Sequence, residues 1–186
     1  IKKLDYFNNP NFKLITLPTN VGVAKATNIG FKASKGEFIA LLGDDDYWID
    51  KEKISKQLNI FLNYKKKSIG VVGTWWSDLT PDQKIINHAP KIPKNPLTKF
   101  LIGGGLIGGS TPLIPREIWI KAGGLDEKLK RGTDSDLFRR IVLKGYKAIN
   151  IEIIPRNKYK YCSEMYTTIN VPTITPGNPK IKICQA

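Results

Sequence analysis

Residues 38–46, read as Phe38-Ile39-Ala40-Leu41-Leu42-Gly43-Asp44-Asp45-Asp46, join an uninterrupted apolar run to three consecutive carboxylates. An apolar run of this length is typical of a strand that is buried on both faces, as in a parallel sheet. In open α/β sheets, ligands bind beyond the carboxyl ends of the strands. The stretch therefore predicts an α/β fold with an acidic site at one strand end.

The acidic cluster admits two interpretations. Three adjacent carboxylates repel one another, and a divalent cation with oxygen ligands would compensate that repulsion. Mg²⁺ commonly bridges one or two carboxylates to the phosphates of a substrate. Alternatively, the cluster is a solvated turn that caps the helix after it. The cluster alone does not decide between these two.

Outward from this stretch, apolar runs alternate with helical patterns, as expected of an α/β sandwich. Strands are predicted at 13–17, 38–42, 69–76 and 148–154, with a short strand at 85–86 inside a polar loop over 78–96. Helices are predicted at 21–34, 50–64, 97–102, 115–122 and 136–144. Asn20 and Asp50 are the expected N-caps of the first two helices.

The domain prediction is one folded unit over residues 1–154 and a loosely ordered extension over 155–186, where prolines interrupt all periodicity. A parallel sheet of this kind needs a central first strand, and nothing before Lys13 supplies one. We therefore expect an N-terminal strand–helix–strand portion to precede residue 1.

The chain carries 30 Lys and Arg against 16 Asp and Glu, a net charge of +14. A basic surface attracts phosphates of nucleic acid, anionic lipid or a nucleotide. The lysines are scattered and form no stripe with interleaved aromatics, so no nucleic-acid partner is expected. Cys162 and Cys184 lack zinc-site spacing and are predicted to be reduced thiols of a cytosolic protein. A membrane span is not predicted, although peripheral contact with the cytoplasmic membrane surface fits the charge.

Two further motifs each have a structural and a functional interpretation. Residues 20–30 place small side chains on one helical face, which permits close packing, while the helix start beside Gly22 could accept a phosphate. In Gly132-Thr133-Asp134-Ser135-Asp136, either carboxylate could cap a helix. Either could also be a general base that takes a proton from an attacking hydroxyl.

The aromatic residues are ambiguous as well. Alternate residues of a strand face opposite ways, so at most one of Trp75 and Trp76 can face a cleft, where it would stack on a ligand; core packing is the alternative. Residues 103–109 are either a flexible loop beside such a cleft or a linker. His88, the only histidine, is predicted to be a surface residue.

Four motifs follow one another along the chain: NxGxAxAxNxG from Asn20, GEFIALLGDDDYW from Gly36, GGLDEKLKRGTDSDLFRR from Gly123, and GYKA from Gly145. Together they resemble the inverting glycosyltransferases of family 2, over residues 20 to about 154. The resemblance implies the GT-A fold, a Rossmann-like, mixed and mostly parallel sheet flanked by helices. It also implies a divalent metal, Mn²⁺ or Mg²⁺, a nucleotide-sugar donor with UDP favoured, and a glycan, lipid or protein hydroxyl acceptor.

Residue by residue, the resemblance places Gly43-Asp44-Asp45 in the family's DxD slot, with Gly43 in place of the first Asp. It implies that Asp45 and Asp46 hold the metal and that Asp44 lies nearer the ribose. Asp134 matches the catalytic base, although Thr133 stands where the family usually has Glu. The other implied donor contacts are Asn20, Gly22, Lys25 and Asn28. The implied acceptor side comprises Trp75, Trp76, Gly109 and Asp136.

The expected activity is transfer of a sugar to a hydroxyl with inversion. The alternative is a catalytically incomplete fragment or remnant that binds nucleotide-sugar weakly, since the family's base-recognition segment is expected before residue 1.

Overall fold

The computed structural model describes residues 10–64, 68–82, 84–102 and 105–153, together with the backbone of 181–185. The helices are α1 Val23–Ala33, α2 Lys53–Asn63, α3 Leu97–Leu101, α4 Arg116–Ala122 and α5 Thr133–Leu143. The strands are β1 Phe38–Leu42, β2 Ile69–Thr74, β3 Trp76–Leu79, β4 Ile85–His88, β5 Leu113–Pro115, β6 Lys147–Ile151 and β7 Ile181–Gln185.

The main sheet has the strand order β6-β2-β5-β1-β7. β6 runs parallel to β2 and β7 runs parallel to β1, while β5 pairs antiparallel with both β1 and β2. Four strands therefore point one way and the short central β5 points the other. This is the mixed, mostly parallel sheet flanked by helices that the sequence predicts.

Helices cover both faces of this sheet because consecutive strand residues point to opposite sides. Ile39, Val71 and Ile114 belong to one buried cluster, with side chains from α1, α3, α4 and α5. Ala40, Val72 and Leu113 belong to the other cluster, against which α2 packs. The sheet is thus buried on both sides, which explains the unbroken apolar run over residues 38–42.

A second, two-stranded sheet pairs β3 with β4, and Trp76 lies opposite His88. The strand predicted at 69–76 therefore ends at Thr74, and the chain starts a new strand at Trp76. The short strand predicted at 85–86 is present and extends to His88.

Several predicted boundaries are wrong. Residues 13–17 form no strand and are largely exposed, because they pair with no described strand. Gly22, with φ 81°, is the N-cap of α1, whereas Asn20 Oδ1 accepts from Gly22 N at 2.9 Å two residues earlier. Asp50 Oδ1 likewise accepts from Glu52 N at 2.8 Å in the turn before α2.

α5 begins at Thr133, three residues before its predicted start, and Gly132 is its N-cap. Neither Asp134 nor Asp136 is therefore an N-cap. The extension predicted over 155–186 lies largely outside the described residues, and its described part, β7, is an edge strand of the main sheet. Cys162 also lies outside them, as do the side chain of Cys184 and the loop residues Gly103 and Gly104.

Candidate active site

The acidic residues form a tight turn at the carboxyl end of β1, in which Asp46 N donates to Gly43 O at 3.4 Å. The turn brings two carboxylates back over Gly43. A Cβ at Gly43 would lie 3.0 Å from Asp45 Oδ1, 3.2 Å from Asp46 Oδ2 and 3.3 Å from Ser110 Oγ. Three oxygens thus surround a space that any side chain at position 43 would fill. Asp44 is exposed and is not among these nearest groups.

Ser110 ties this acidic turn to the loop that precedes β5. Its Oγ accepts a hydrogen bond from Gly43 N at 2.7 Å, and its carbonyl accepts one from Trp48 Nε1 at 2.9 Å. Thr111 closes the same loop, because its N and Oγ1 both donate to Gly108 O. Residues 108–111 are therefore held against Gly43, where the acidic turn begins, and against Trp48, which follows that turn.

Asp134 approaches the same loop from the other side. It lies in the first turn of α5, where its Oδ1 accepts from Ser135 N at 2.8 Å. Its Oδ2 lies 3.2 Å from the position that a Cβ on Gly109 would occupy. Gly109 thus lies beside the predicted base, and the next residue, Ser110, shares the space around Gly43 with the predicted metal ligands.

A cleft of about 280 Å³ joins these groups. Its lining includes Gly43, Gly109, Ser110, Thr133 and Asp134. One face of α1 closes the cleft through Val23, Thr27 and Gly30. The structure thus brings Gly43 at the start of the acidic turn, helix α1 and the start of α5, which are distant in the sequence, to one cleft, whereas Asp44, Asp45 and Asp46 are not among its lining residues.

The donor set at Gly43 suits a divalent cation. The oxygens of Asp45, Asp46 and Ser110 surround one space, and Mg²⁺ needs only one or two carboxylates when phosphates and water complete its shell. In the described parts of the chain, no set of three or more His, Cys, Asp and Glu residues is gathered closely enough to hold a metal by itself. The residues present therefore fit a cation that is shared with a phosphate-bearing ligand.

Asp136 has a different environment. Its Oδ2 accepts from Arg140 Nε at 2.7 Å, and its Oδ1 pairs with Arg139. Partial burial raises the pKa of Asp136, but the hydrogen bonds and charges of the two guanidiniums outweigh burial and hold that pKa below its ordinary value. Arg140 also donates to the carbonyls of Ala122 and Gly124. These contacts tie α5 to the end of α4.

The predicted donor residues of α1 do not line the cleft. Lys25 is exposed, and Asn20 and Gly22 lie exposed before the helix. Asn28 lies in a separate depression, where its Nδ2 donates to Leu125 O and to Glu127 Oε1, both at 2.9 Å. Its Oδ1 accepts from Leu125 N, so the amide holds α1 to the GGLDE segment.

Of the two neighbouring tryptophans, Trp76 approaches the cleft loop. A Cβ on Gly108 would lie 3.0 Å from its ring, and the ring stacks on His88 with centroids 5.0 Å apart. His88 Nε2 also lies 2.8 Å from Asp78 Oδ2, and the histidine side chain is 35% exposed, so His88 lies at the surface as predicted, in contact with Trp76 and Asp78. Trp75 is half-buried, and its N donates to Ile151 O.

Sequence reasoning missed Ser110, Thr27 and Lys53. Ser110 and Thr27 lack a local signal, because their roles depend on partners far along the chain. Lys53 belongs to the charged run Lys51-Glu52-Lys53 and yet is 4% exposed. Burial lowers its pKa to about 7.

The family model described as "Glycosyl transferase family 2" matches residues 1–112, which include the acidic turn and Ser110. The chain belongs to glycosyl transferase family 2. Membership agrees with the GT-A fold described above and makes glycosyl transfer the general activity of its relatives. In the described residues, none of the helices has the length and apolar character needed to cross a membrane.

Three curated relatives are similar over 81% of this chain. A chondroitin synthase and a hyaluronan synthase of Pasteurella multocida are each 29% identical over 151 residues. An uncharacterized glycosyltransferase of Rickettsia typhi is 29% identical over 160 residues. The chain spans 15% of the length of each synthase and 48% of the Rickettsia protein.

Proposed function

We propose that this family 2 chain transfers a sugar, with inversion, from a nucleotide-diphospho-sugar to a hydroxyl acceptor. A UDP-sugar is the favoured donor, and the acceptor is a glycan, lipid or protein. One observation supports the proposal: Asp134 Oδ2 lies beside Gly109, and the next residue, Ser110, lies together with Asp45 and Asp46 around Gly43, which lines the same cleft as Asp134. Inversion needs a base on the side opposite to the leaving group, and two separate acidic positions supply these two ends.

In this proposal, Asp45 and Asp46 hold Mn²⁺ or Mg²⁺ and Asp44 contacts the ribose. A bound divalent metal offsets the negative charge that develops on the leaving diphosphate. Asp134 takes the proton of the acceptor hydroxyl as that oxygen attacks the anomeric carbon. Because Ser135 N holds Oδ1, the other oxygen, Oδ2 beside Gly109, is the proton acceptor.

The remaining assignments are also proposals. Asn20, Gly22, Lys25 and Asn28 are proposed donor-side residues, and Trp75, Trp76, Gly109 and Asp136 are proposed acceptor-side residues. Trp76 is supported by its contact with Gly108. The proposed location is the cytoplasm or its membrane surface, where a net charge of +14 would favour anionic lipid.

Titration calorimetry of the full chain with UDP and Mn²⁺ tests the metal site. We expect metal-dependent binding, weakened roughly 10–100-fold or more in Asp45→Asn, because one of two carboxylate ligands is lost. Asp82→Asn is the matched control, since Asp82 lies in the exposed β3–β4 turn and pairs with Lys84. Equal UDP affinity with and without Mn²⁺ in the wild type would contradict the proposed site.

A nucleotide-sugar hydrolysis screen with Mn²⁺ then separates enzyme from remnant. Release of UDP from at least one donor sugar is the expected result. Metal-dependent UDP binding without turnover of any donor would instead favour the catalytically incomplete alternative.

A further inference from the structure

Lys53, the first residue of α2, carries a buried amine that the proposed chemistry does not use. Its Nζ donates to Gln57 Oε1 at 3.0 Å and lies 4.4 Å from the ring centroid of Trp48. In the described part of the chain, no carboxylate lies within 4.0 Å of this Nζ. A buried ammonium without a carboxylate costs free energy, and a hydrophobic residue of similar volume would avoid that cost.

Both partners of Lys53 bind the loop that separates the acidic turn from the base. Trp48 Nε1 donates to Ser110 O at 2.9 Å, and Gln57 Nε2 donates to Thr111 O at 2.9 Å and to Val72 O at 2.6 Å. Lys53 therefore lies between Trp48 and Gln57, whose side chains donate hydrogen bonds to the carbonyls of two consecutive loop residues. Ser110 Oγ extends this chain of contacts to Gly43 N.

Few charged groups pack against Lys53, so these polar contacts are its main source of stabilisation. Strands β2 and β5, which pack against α2, contain no titratable residue. On α2 itself, Lys56 is exposed and pairs with Asp50 and Glu52. Along the chain, the next charged residues are Lys51 and the acidic turn that precedes Trp48. The ammonium is held by an amide oxygen and an aromatic face.

We propose that Lys53 is a positioning residue of the donor site. By holding Trp48 and Gln57 in one geometry, it fixes Ser110 between the acidic turn and Asp134. Its effect on the donor rests on the proposed function, whereas its effect on the loop does not.

Amide hydrogen exchange of the full chain tests the loop directly. In Lys53→Met, we expect exchange in residues 43–48 and 108–111 to be about tenfold faster, while α5 stays as protected as in the wild type. Lys56→Met is the matched control, because it removes an exposed lysine from the same helix and should change neither segment. Wild-type protection of both segments in Lys53→Met would overturn the proposal.

Tryptophan fluorescence provides a readout that a purely structural role would not change. In a Trp76→Phe background, which removes the indole stacked on His88, the parent protein and Lys56→Met should show an emission change centred near pH 7, where Lys53 loses its proton. Lys53→Met and Trp48→Phe should both lack it. Persistence of this transition in Lys53→Met would overturn the assignment.

If Lys53→Met does not fold, Trp48→Phe provides a second test, because it removes the Trp48 hydrogen bond to Ser110 O. Normal protection of residues 108–111 in that variant overturns the proposal.

In the presence of Mn²⁺, Lys53→Met should bind UDP roughly 10–100-fold more weakly than the wild type does. If the wild type binds no UDP, the proposed function fails, while hydrogen exchange still decides the role of Lys53.

Discussion

Asp134 and Asp136 lie two residues apart in the first turn of α5 and have opposite surroundings. Asp136 accepts from two arginines and ties α5 to α4. Asp134 pairs with no described cation, and one of its oxygens faces Gly109 in the cleft. Both gain from the helix dipole, so the dipole does not distinguish them.

Helix periodicity explains the difference. Residues three and four apart share a helix face, whereas residues two apart point about 200° from each other. The neighbours of Asp136 at these spacings are Arg139 and Arg140, while those of Asp134 are Leu137 and Phe138, both fully buried. The sequence of α5 thus pairs one carboxylate on the helix and leaves the other available to a ligand.

The largest effect expected from this difference is on turnover. Asp134→Asn keeps an oxygen for Ser135 N but removes the proton acceptor, so we expect UDP release with an acceptor to fall by roughly 10²–10⁴-fold. UDP binding measured by calorimetry should change little. Asp136→Asn is the matched variant, and its turnover should fall by far less than that of Asp134→Asn, because Asp136 takes no proton. Unchanged turnover in Asp134→Asn would break the comparison.

A smaller effect is expected on stability, where the substitution of Asp136 should matter more than that of Asp134. Asp136→Asn should lose about 2 kcal/mol of unfolding free energy at pH 7, because two charged hydrogen bonds are weakened. Asp134→Asn should stay within about 0.5 kcal/mol of the wild type. Urea unfolding of all three proteins measures this.

The same pair predicts a pH dependence. The pKa of Asp136 is held below 3.8 in the fold, so the stability it contributes is present above about pH 4. It is lost as pH falls through the folded pKa, where the wild type should converge on Asp136→Asn. A stability difference that stays constant down to pH 2 would show that it does not arise from this ionisation.

The sequence was sufficient for the features that depend on local pattern. The apolar run before Gly43 predicted β1, and the 3.6-residue periodicity predicted α2, because each element carries its own signal. β5 was missed because three residues, Leu113–Pro115, are too short to show a pattern and gain their strand geometry from β1 and β2. Residues 13–17 show the reverse, a strand-like pattern without a described partner.

The candidate site divides in the same way. Asp45 and Asp134 stand in motifs with recognisable spacing; Asp134 lines the cleft, and Asp45 lies beside Gly43, which also lines it. Ser110 and Lys53 could not be predicted, because their roles arise from contacts with residues far along the chain or from unexpected burial. A lysine between Glu52 and Ser55 resembles a solvated charge until tertiary packing covers it.

The smallest expected effect concerns the space beside Asp134. A Cβ at Gly109 would lie 3.2 Å from Asp134 Oδ2, so the carboxylate of Gly109→Ala must move by a few tenths of an ångström. Misplacement of a catalytic group by about 1 Å can cost about 10²-fold, so we expect kcat to fall by roughly three- to tenfold with stability nearly unchanged. Gly105→Ala is the control, because its Cβ would meet no atom within 4 Å. Equal kcat in both variants would mean that the position of Oδ2 beside Gly109 does not limit turnover, and that Asp134 differs from Asp136 only in lacking a cation.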